Sequence, residues 1–96
     1  MPQIEWLPES LSDIERLYTF LRNKNVKAAR RAVKAILEGA NLLNSSPGIG
    51  RAMPDDTGRR ELFIPFGAGA YVLRYMQKNP ELIIIIRVWH SREYRE

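Results

Sequence analysis

The residues best suited to chemistry lie near the end of the chain, where Val88-Trp89-His90-Ser91-Arg92 follows the longest apolar run. The only histidine stands there with one residue between it and an arginine. Imidazole titrates near neutral pH and guanidinium holds oxyanions bidentately, so His90 and Arg92 could serve as acid-base catalyst and phosphate clamp. The structural alternative is a histidine that closes the end of a sheet and an arginine that pairs with Glu93 or Glu96, and we prefer it as the default.

More arginines and a tryptophan belong to the strands that precede this segment. Alternation along the last two predicted strands places Arg74 and Arg87 on one sheet face with Trp89, where they could form a basic and aromatic surface for a partner. Structural salt bridges explain these two arginines equally well. Arg60, at the entry to an earlier strand, could meet a carboxylate of a partner or make a local ion pair worth under about 1 kcal/mol.

A second basic set lies on the predicted second helix, on the side opposite its apolar stripe. It consists of Lys27, Arg30, Arg31 and Lys34. Cations at this spacing can follow the phosphates of a nucleic acid. A solvated helix face is the simpler interpretation, and the sequence alone favours it.

Composition sets broad limits on what the chain can be. Its 96 residues form one domain, residues 1–96, and with 45% hydrophobic and 27% charged residues they can bury a single core. The formal net charge of +4 favours anionic partners, such as nucleic acid or an acidic protein. Because cysteine is absent, disulfides, thiolate zinc sites and thiol nucleophiles are excluded.

No cofactor or metal is expected. A single histidine rules out a histidine-rich metal site, and the segments Gly48 to Gly50 and Gly67 to Gly69 neither open a helix nor carry the residues of a phosphate loop. The apolar run Leu82 to Ile86 is far shorter than the roughly 20 residues that cross a bilayer, and the start of the chain lacks the pattern of a secretion signal. We therefore expect a cytoplasmic protein without a membrane span.

Hydrophobic periodicity predicts the order strand, helix, helix and then three strands. The predicted strands are Gln3 to Leu7, Glu61 to Phe66, Ala70 to Gln77 and Leu82 to His90, and the helices are about Glu9 to Arg22 and Val26 to Leu43. Ser10 with Asp13 offers a cap for the first helix, Asn25 caps the second, and residues 47–58 form a loop. This order predicts an α+β domain in which a helical hairpin packs on one face of an antiparallel sheet.

The same patterns predict which side chains share a face. The apolar stripe of the second helix consists of Val26, Ala29, Val33, Ile36, Leu37, Ala40 and Leu43. If Gln77 and Leu82 pair, one sheet face contains Tyr71, Leu73, Tyr75, Ile84, Ile86, Val88 and His90. The other contains Val72, Arg74, Met76, Ile83, Ile85, Arg87 and Trp89, while a one-residue slip would exchange the two sets.

Because the second set exposes Ile83, Ile85 and Trp89 among arginines, we expect a partner to cover that face. We assign Trp6, Tyr71 and Tyr75 to the core.

Six short segments, taken in order and at their spacing, match a known pattern. They are Ile4-Glu5-Trp6, residues 11–18, Pro47-Gly48-Ile49-Gly50-Arg51, residues 58–62, Tyr71-Val72-Leu73-Arg74-Tyr75 and Val88-Trp89-His90-Ser91-Arg92. With these segments the chain resembles the ParE/RelE superfamily of small toxins from bacterial type II toxin-antitoxin modules, and most closely its ParE branch. The resemblance covers nearly the whole chain.

The resemblance implies a cytoplasmic toxin of a plasmid-stabilisation type of module, which arrests growth when its antitoxin is lost. The partner would be a cognate antitoxin, ParD-like or another DNA-binding antitoxin, that wraps its C-terminal segment around the toxin in a hetero-oligomer. Members of the ParE branch act on DNA gyrase, whereas members of the RelE branch cut mRNA in the ribosome. The RelE mechanism uses basic residues on the exposed sheet face, commonly with a C-terminal tyrosine or histidine.

We predict the ParE-like function, a gyrase inhibitor without catalytic residues of its own. The strand Glu61 to Phe66 has no lysine pair, and Val72 stands where the strand arginine of the RelE branch aligns. The first alternative is a ribosome-dependent mRNA endonuclease whose replacement set would be Arg74, Arg87, His90, Arg92 and Tyr94. The second is an inactive binding module that keeps the fold. The residues expected to contact a target or antitoxin are Arg60, Arg74, Arg87, Trp89, His90, Arg92 and Tyr94.

Overall fold

The computed structural model describes residues 2–93 and contains, within them, two helices and five strands. In chain order these are β1 (Gln3–Trp6), α1 (Pro8–Arg22), α2 (Val26–Leu42), β2 (Arg51–Ala52), β3 (Arg59–Phe66), β4 (Gly69–Asn79) and β5 (Leu82–His90). The predicted α+β order is confirmed. The addition is β2, which lies inside the predicted loop and is too short to produce a periodic signal.

The strands form one sheet in the order β1-β5-β4-β3-β2. The pairs from β5 to β2 are antiparallel, as predicted, whereas β1 is parallel to β5 and makes the sheet mixed. Both helices contribute to a core on one face of the sheet, and the opposite face is called the outer face below. Within residues 2–93 neither helix is long and apolar enough to span a membrane.

The two helices begin in different ways. α1 begins at Pro8, whose fixed φ suits a first helical position, and the predicted side-chain cap is wrong because Leu7 precedes the helix without one. Ser10 Oγ instead donates to the Leu7 carbonyl at 2.7 Å, and Asp13 contacts β5. α2 begins as predicted, since the Asn25 side chain accepts a hydrogen bond at 3.0 Å from the backbone N–H three residues later.

Small residues bring α2 close to the sheet. A Cβ on Gly39 would lie 2.9 Å from Ile64 Cγ1, so glycine permits this approach between helix and strand. The predicted stripe is corrected at its margins, where Val26 and Leu37 are each 44% exposed, while Ala32 is buried. The largest fully buried side chains of the core are Tyr75, Ile36, Leu43, Leu73, Ile83, Ile85 and Val88.

The register of β4 and β5 differs from the predicted one. Leu82 lies opposite Asn79 rather than Gln77, and the pairing shifts by one residue at Ile86, which is an extra residue on β5. Such a bulge leaves one residue without a partner and reverses the side-chain alternation beyond it. Because the run before the bulge is apolar on both sides, its hydrophobic pattern does not select between the two registers.

The bulge decides which residues of β5 lie in the core. Residues 87–90 keep their predicted faces, with Trp89 on the outer face. Ile83 and Ile85, in contrast, point into the core and are fully buried. Their predicted exposure among arginines is therefore wrong, and so is the apolar patch that was expected to need a partner there.

The loop between α2 and β2 is held by a buried hydroxyl and an arginine. Tyr75 Oη donates to the Pro47 carbonyl at 2.7 Å and accepts from Gly50 N at 2.9 Å. Arg60 Nη1 donates to the carbonyls of Gly48 and Gly50 at 3.2 and 2.7 Å. Burial raises the pKa of Tyr75, so this hydroxyl keeps the proton that it donates.

Replacing Tyr75 with phenylalanine should destabilise the fold by about 1–3 kcal/mol, because the Pro47 carbonyl and the Gly50 N–H lose their partner at a buried position. Urea unfolding followed by tryptophan fluorescence should show a lower midpoint at an unchanged m value. Tyr18→Phe is the matched control, since the Tyr18 hydroxyl makes no hydrogen bond within residues 2–93. Equal midpoints for the two variants would contradict the role of the Tyr75 hydroxyl.

Candidate functional site

A row of charged residues crosses four strands on the outer face. From β2 to β5 the register aligns Arg51, Glu61, Arg74 and Arg87. Arg74 Nε and Nη2 donate to Glu61 Oε2 at 3.1 and 2.8 Å, and the guanidinium lies 4.9 Å from the centre of the Trp89 ring. Arg74 and Trp89 therefore share a face, as predicted, and the charge of Arg74 is paired within the fold.

An apolar strip lies beside this row. Phe63 is 50% exposed and stands opposite Val72, which in turn stands opposite Trp89. Aromatic side chains and arginines are the residue types enriched in the cores of protein interfaces. The outer face consequently has the composition of a protein-binding surface.

Arg87 belongs to the same row, but its side chain reaches over the edge of β5 to helix α1. Arg87 Nε donates to Asp13 Oδ2 at 2.8 Å, and Nη2 donates to Asp13 Oδ1 at 3.0 Å. The two parallel bonds form a bidentate ion pair, the strongest geometry available to these groups. The guanidinium is therefore part of the link between helix and sheet.

Asp13 is the centre of a larger network at the edge of β5. Its Oδ2 accepts Val88 N at 2.9 Å and its Oδ1 accepts Arg16 Nη2 at 3.1 Å, in addition to the bonds from Arg87. Arg16 also donates to the Val88 carbonyl at 3.3 Å, and Glu93 accepts His90 N at 2.8 Å. Because β1 pairs with only the first half of β5, these side chains satisfy the backbone groups that a longer β1 would have paired.

The ionisation of Asp13 follows from its partners. Burial by itself would raise the pKa of this carboxyl, but hydrogen bonds from Arg87, Val88 and Arg16 outweigh burial and hold the pKa below its usual value. Asp13 therefore stays charged in the folded protein at neutral pH.

His90 lies at the end of β5 on the helix side of the sheet. Its ring meets the Tyr71 ring edge-on at a centroid distance of 5.0 Å. Nδ1 accepts Arg92 N at 3.2 Å, and Nε2 lies 3.5 Å from the Phe66 carbonyl. This pattern assigns the proton of a neutral imidazole to Nε2, and it fits a histidine that closes the end of a sheet.

Of the two partners that the structural alternative offered Arg92, Glu96 lies outside the described residues, and Glu93 does not pair with it. Glu93 Oε2 instead forms an ion pair with Arg16 Nη1. The exposed Arg92 side chain makes no hydrogen bond or ion pair with any of residues 2–93. Among the predicted contact residues with described side chains, Arg92 is thus the cation available to an outside group.

A groove of about 570 Å³ lies next to His90 and Arg92. Its floor and walls are mainly apolar and are built from α1 and the turn between β3 and β4, while Phe20 stands at its side with 61% of its surface exposed. Its lining includes Leu17, Phe20, Leu21, Phe66, Tyr71 and Arg92. An apolar groove with a cation at its mouth suits an amphipathic segment that carries an acidic residue.

The predicted site residues do not converge on one place. Arg74 lies on the outer face, whereas the His90 ring packs against Tyr71 on the core side of the same sheet. Arg60 holds the loop before β2 and makes neither the predicted ion pair nor a contact at the groove. Tyr94 lies outside the described residues. Within residues 2–93 no group of three or more histidine, cysteine or carboxylate residues could hold a metal ion.

Sequence reasoning missed Asp13, Glu61 and Phe20 as members of these surfaces. A signal for Asp13 was present, because it lies four residues before Leu17 on the buried side of α1, and a carboxylate at such a position needs a cation or backbone donor. No comparable signal marked Phe20, whose role depends on a turn distant in sequence.

Comparisons with known proteins find similar proteins under two names, ParE and RelE. The family model described as "ParE toxin of type II toxin-antitoxin system, parDE" matches residues 4–94. Two proteins of Caulobacter vibrioides are similar in sequence. Toxin RelE3 is 36% identical over 95 residues, which span 99% of this chain and 100% of the relative. Toxin RelE1 is 34% identical over 83 residues, which span 86% of this chain and 86% of the relative. A solved structure of the chromosomal ParDE TA system from P. aeruginosa matches with a TM-score of 0.77 at 21% identity, covering 94% of this chain and 96% of the other. At that identity the structural match shows the fold alone.

Replacing Asp13 with asparagine should lower the free energy of unfolding at pH 7 by about 2–3 kcal/mol, because charge-assisted bonds from two arginines are lost. The folded pKa of Asp13 is lowered, so its stabilisation is fully present above the unfolded pKa and disappears as the pH falls through the folded value. The difference in stability between wild type and variant should therefore shrink below about pH 4. Urea unfolding at a series of pH values measures it.

Asp55→Asn is the control for this effect. The pKa of Asp55 is lowered to about 2 by hydrogen bonds from Thr57 and by its pairing with Arg59, but Asp55 is exposed on a loop. We expect a much smaller change in stability at pH 7 than for Asp13→Asn. If the two substitutions had equal effects, the Asp13 network would not be what holds α1 to β5.

Proposed function

The chain belongs to the ParE toxin family of type II toxin-antitoxin systems, and we propose that it arrests growth by binding DNA gyrase while a cognate antitoxin keeps it inactive. In this proposal the chain binds its target and catalyses nothing. The observation that carries the proposal is the separation of His90 and Arg74 by the sheet itself.

Cleavage of RNA needs a base, an acid and several cationic donors around one phosphate. His90 Nδ1 accepts a backbone N–H, and its Nε2 faces the carbonyl of Phe66, so neither ring nitrogen points at a site that also contains Arg74. A phosphate on the outer face would have no imidazole beside it, and one in the groove would meet Arg92, which is unpaired among residues 2–93. This division supports a binding role over ribonuclease chemistry.

The pairing of the arginines supports the same conclusion. Arg74 is held by Glu61, Arg87 by Asp13, and Arg60 by two backbone carbonyls. Binding a phosphate with these groups would require breaking ion pairs that already exist, which removes much of the gain. The arginines instead keep the outer face rigid, so that Phe63 and Trp89 can serve as preorganised anchors for a protein target.

We assign the gyrase contact to the outer face. Arg51 on β2 and Phe63 on β3 are exposed there, and Trp89 on β5 lies on the same face. A flat surface of aromatic and guanidinium groups matches the hot-spot composition of protein interfaces.

We assign the antitoxin to the groove between α1 and the turn that joins β3 to β4. Its apolar lining favours a segment with an apolar or aromatic side chain, and Arg92 at its mouth favours an acidic residue next to that side chain. The P. aeruginosa structure with the same fold is that of a ParDE toxin-antitoxin system. An antitoxin segment seated here would cover Phe20, the most exposed large apolar side chain among residues 2–93.

The second candidate function is the RelE-like mRNA endonuclease. Two observations favour it: the curated relatives at 36% and 34% identity are named RelE toxins, and Arg92 is unpaired within residues 2–93 next to the imidazole of His90. In this case the groove, and not the outer face, would receive the RNA.

The purified chain should inhibit DNA gyrase in a plasmid supercoiling assay and should leave translated mRNA intact. Phe63→Asp should weaken the inhibition at least tenfold, because it places a charge in the centre of the proposed interface. Leu42→Asp is the matched control, since Leu42 is similarly exposed but lies at the end of α2.

Primer extension on an mRNA under translation separates the two candidate functions. Cleavage at codon boundaries that disappears with Arg92→Ala, together with normal supercoiling, would overturn the gyrase proposal in favour of the endonuclease. If expression of the chain without antitoxin impairs neither growth nor supercoiling by gyrase, the inactive module is favoured.

For the antitoxin, Phe20→Ser should weaken binding about 30-fold or more, as expected for the loss of a central aromatic anchor. Isothermal titration calorimetry with the cognate antitoxin measures the effect. Leu11→Ser provides the control, because Leu11 is an exposed apolar residue of the same helix that does not line the groove. Equal affinities for the two variants would place the antitoxin elsewhere.

A further inference from the structure

The positive charge of the chain is concentrated in one stretch. Between Glu15 and Glu38 there are seven basic residues and no acidic one. Four of them, called the α2 basic face here, lie on the first half of α2 and comprise Lys27, Arg30, Arg31 and Lys34. Neither the antitoxin groove nor the outer face of the sheet includes any of these four residues.

The α2 basic face is exposed and its charges are unpaired. All four residues are exposed, while Ala29, Ala32 and Ile36 on the opposite side of the helix are buried in the core. None of the four forms an ion pair or a hydrogen bond through its side chain with any of residues 2–93. They differ in this from Arg74 and Arg87, whose charges are paired within the fold.

Like charges three and four residues apart repel each other on α2, and Lys27 lies in its first turn. A helix N-terminus carries a partial positive charge, so acidic residues stabilise its first turn and basic residues its last turn. α1 follows this rule, with Glu9 in its first turn and Arg22 in its last, whereas α2 has no acidic residue in its first turn and no basic residue in its last. The two helices thus differ, and the exception is α2, whose four cations have no partner among residues 2–93.

A local preference that is violated without compensation marks a position where function outweighs stability. Asn25 caps the backbone of α2 but supplies no negative charge to offset Lys27. An external anion lying along the helix would supply it.

We propose that the α2 basic face binds the sugar-phosphate backbone of double-stranded DNA without reading its bases. The four cations are spaced at i, i+3, i+4 and i+7, so they occupy about 10.5 Å of helix at 1.5 Å per residue. A DNA duplex presents about six phosphate charges over the same length, at one charge per 1.7 Å. Charge and dimension therefore match over two helical turns.

The residues around the cations select duplex DNA among nucleic acids. Single strands are held by aromatic side chains interleaved with basic ones, and the exposed side of α2 from Lys27 to Lys34 has no aromatic residue. The major groove of B-form DNA admits a helix between its phosphate walls, whereas that of A-form RNA is too deep and narrow for one. This binding goes beyond gyrase inhibition and does not depend on it.

The test is fluorescence anisotropy of a labelled 20-base-pair DNA of arbitrary sequence, titrated with the full chain from 50 to 200 mM salt. If four phosphates are contacted, log Kobs should fall with log[salt] with a slope of about −3.6. A duplex of different sequence should bind equally. An RNA duplex and single-stranded DNA of the same length should bind more weakly.

The variant Arg30→Gln/Arg31→Gln should reduce the slope to about −1.8 and the affinity at 50 mM salt about tenfold or more. The control Arg51→Gln/Lys78→Gln removes the same two charges from exposed positions on the strands, so its formal net charge also falls from +4 to +2. It should keep a slope near that of wild type. Thermal unfolding gives a second readout: the α2 variant should have a Tm equal to or higher than wild type, because like-charge pairs three and four residues apart on the helix are gone.

Three results would overturn the proposal. Equal losses of affinity in the two variants would mean attraction by net charge alone. Equal or tighter binding of the RNA duplex or of single-stranded DNA would remove duplex DNA as the occupant. A lower Tm of the α2 variant would mean that the cations stabilise the fold. Gyrase inhibition is measured in a separate assay, and its result does not depend on any of these outcomes.

Discussion

The position of helix α1 on the sheet depends on one buried carboxylate. Asp13 accepts hydrogen bonds from two arginines and from the backbone N–H of Val88, and its partners on β5 lie 74 and 75 positions away in sequence. A charge at such a depth is tolerated only with this full set of donors, since an unpaired one would be strongly destabilising. Where β1 stops, the same carboxylate accepts a backbone N–H at the edge of β5. The short first strand and the helix after it therefore cover this edge of the sheet together.

Periodicity was enough to predict most of the architecture. The two helices, the Asn25 cap and the three later strands follow from local spacing and turn residues, which operate within a few positions of each other. The bulge at Ile86 could not be predicted, because five consecutive apolar residues fit either register. The partners of Asp13 and the parallel pairing of β1 were also out of reach, since both depend on contacts between the two ends of the chain.

Local spacing in the sequence was also insufficient to predict the candidate site. Arg74, Trp89, His90 and Arg92 lie on or beside two adjacent strands, as the sequence predicts, but spacing along the chain did not reveal that the sheet separates Arg74 from the imidazole. Nor did it reveal which cations are paired: Arg74 and Arg87 on the strands have internal partners, whereas the arginines of α2 have none among residues 2–93. Composition counts all these charges alike, and the structure divides them into those that hold the fold and those that are available to anions.

The parallel pairing of β1 with β5 also governs when the protein can fold. Of the described strands, β1 is synthesised first and its partner β5 last, and two of the donors to Asp13, Arg87 and Val88, lie on β5. Contacts so distant in sequence form late and slow folding. Without β5 the sheet would lack the partner of β1, and Asp13 would lose its donors Arg87 and Val88. The groove and the outer face both include residues of β5, so both surfaces form only in a chain that contains this strand.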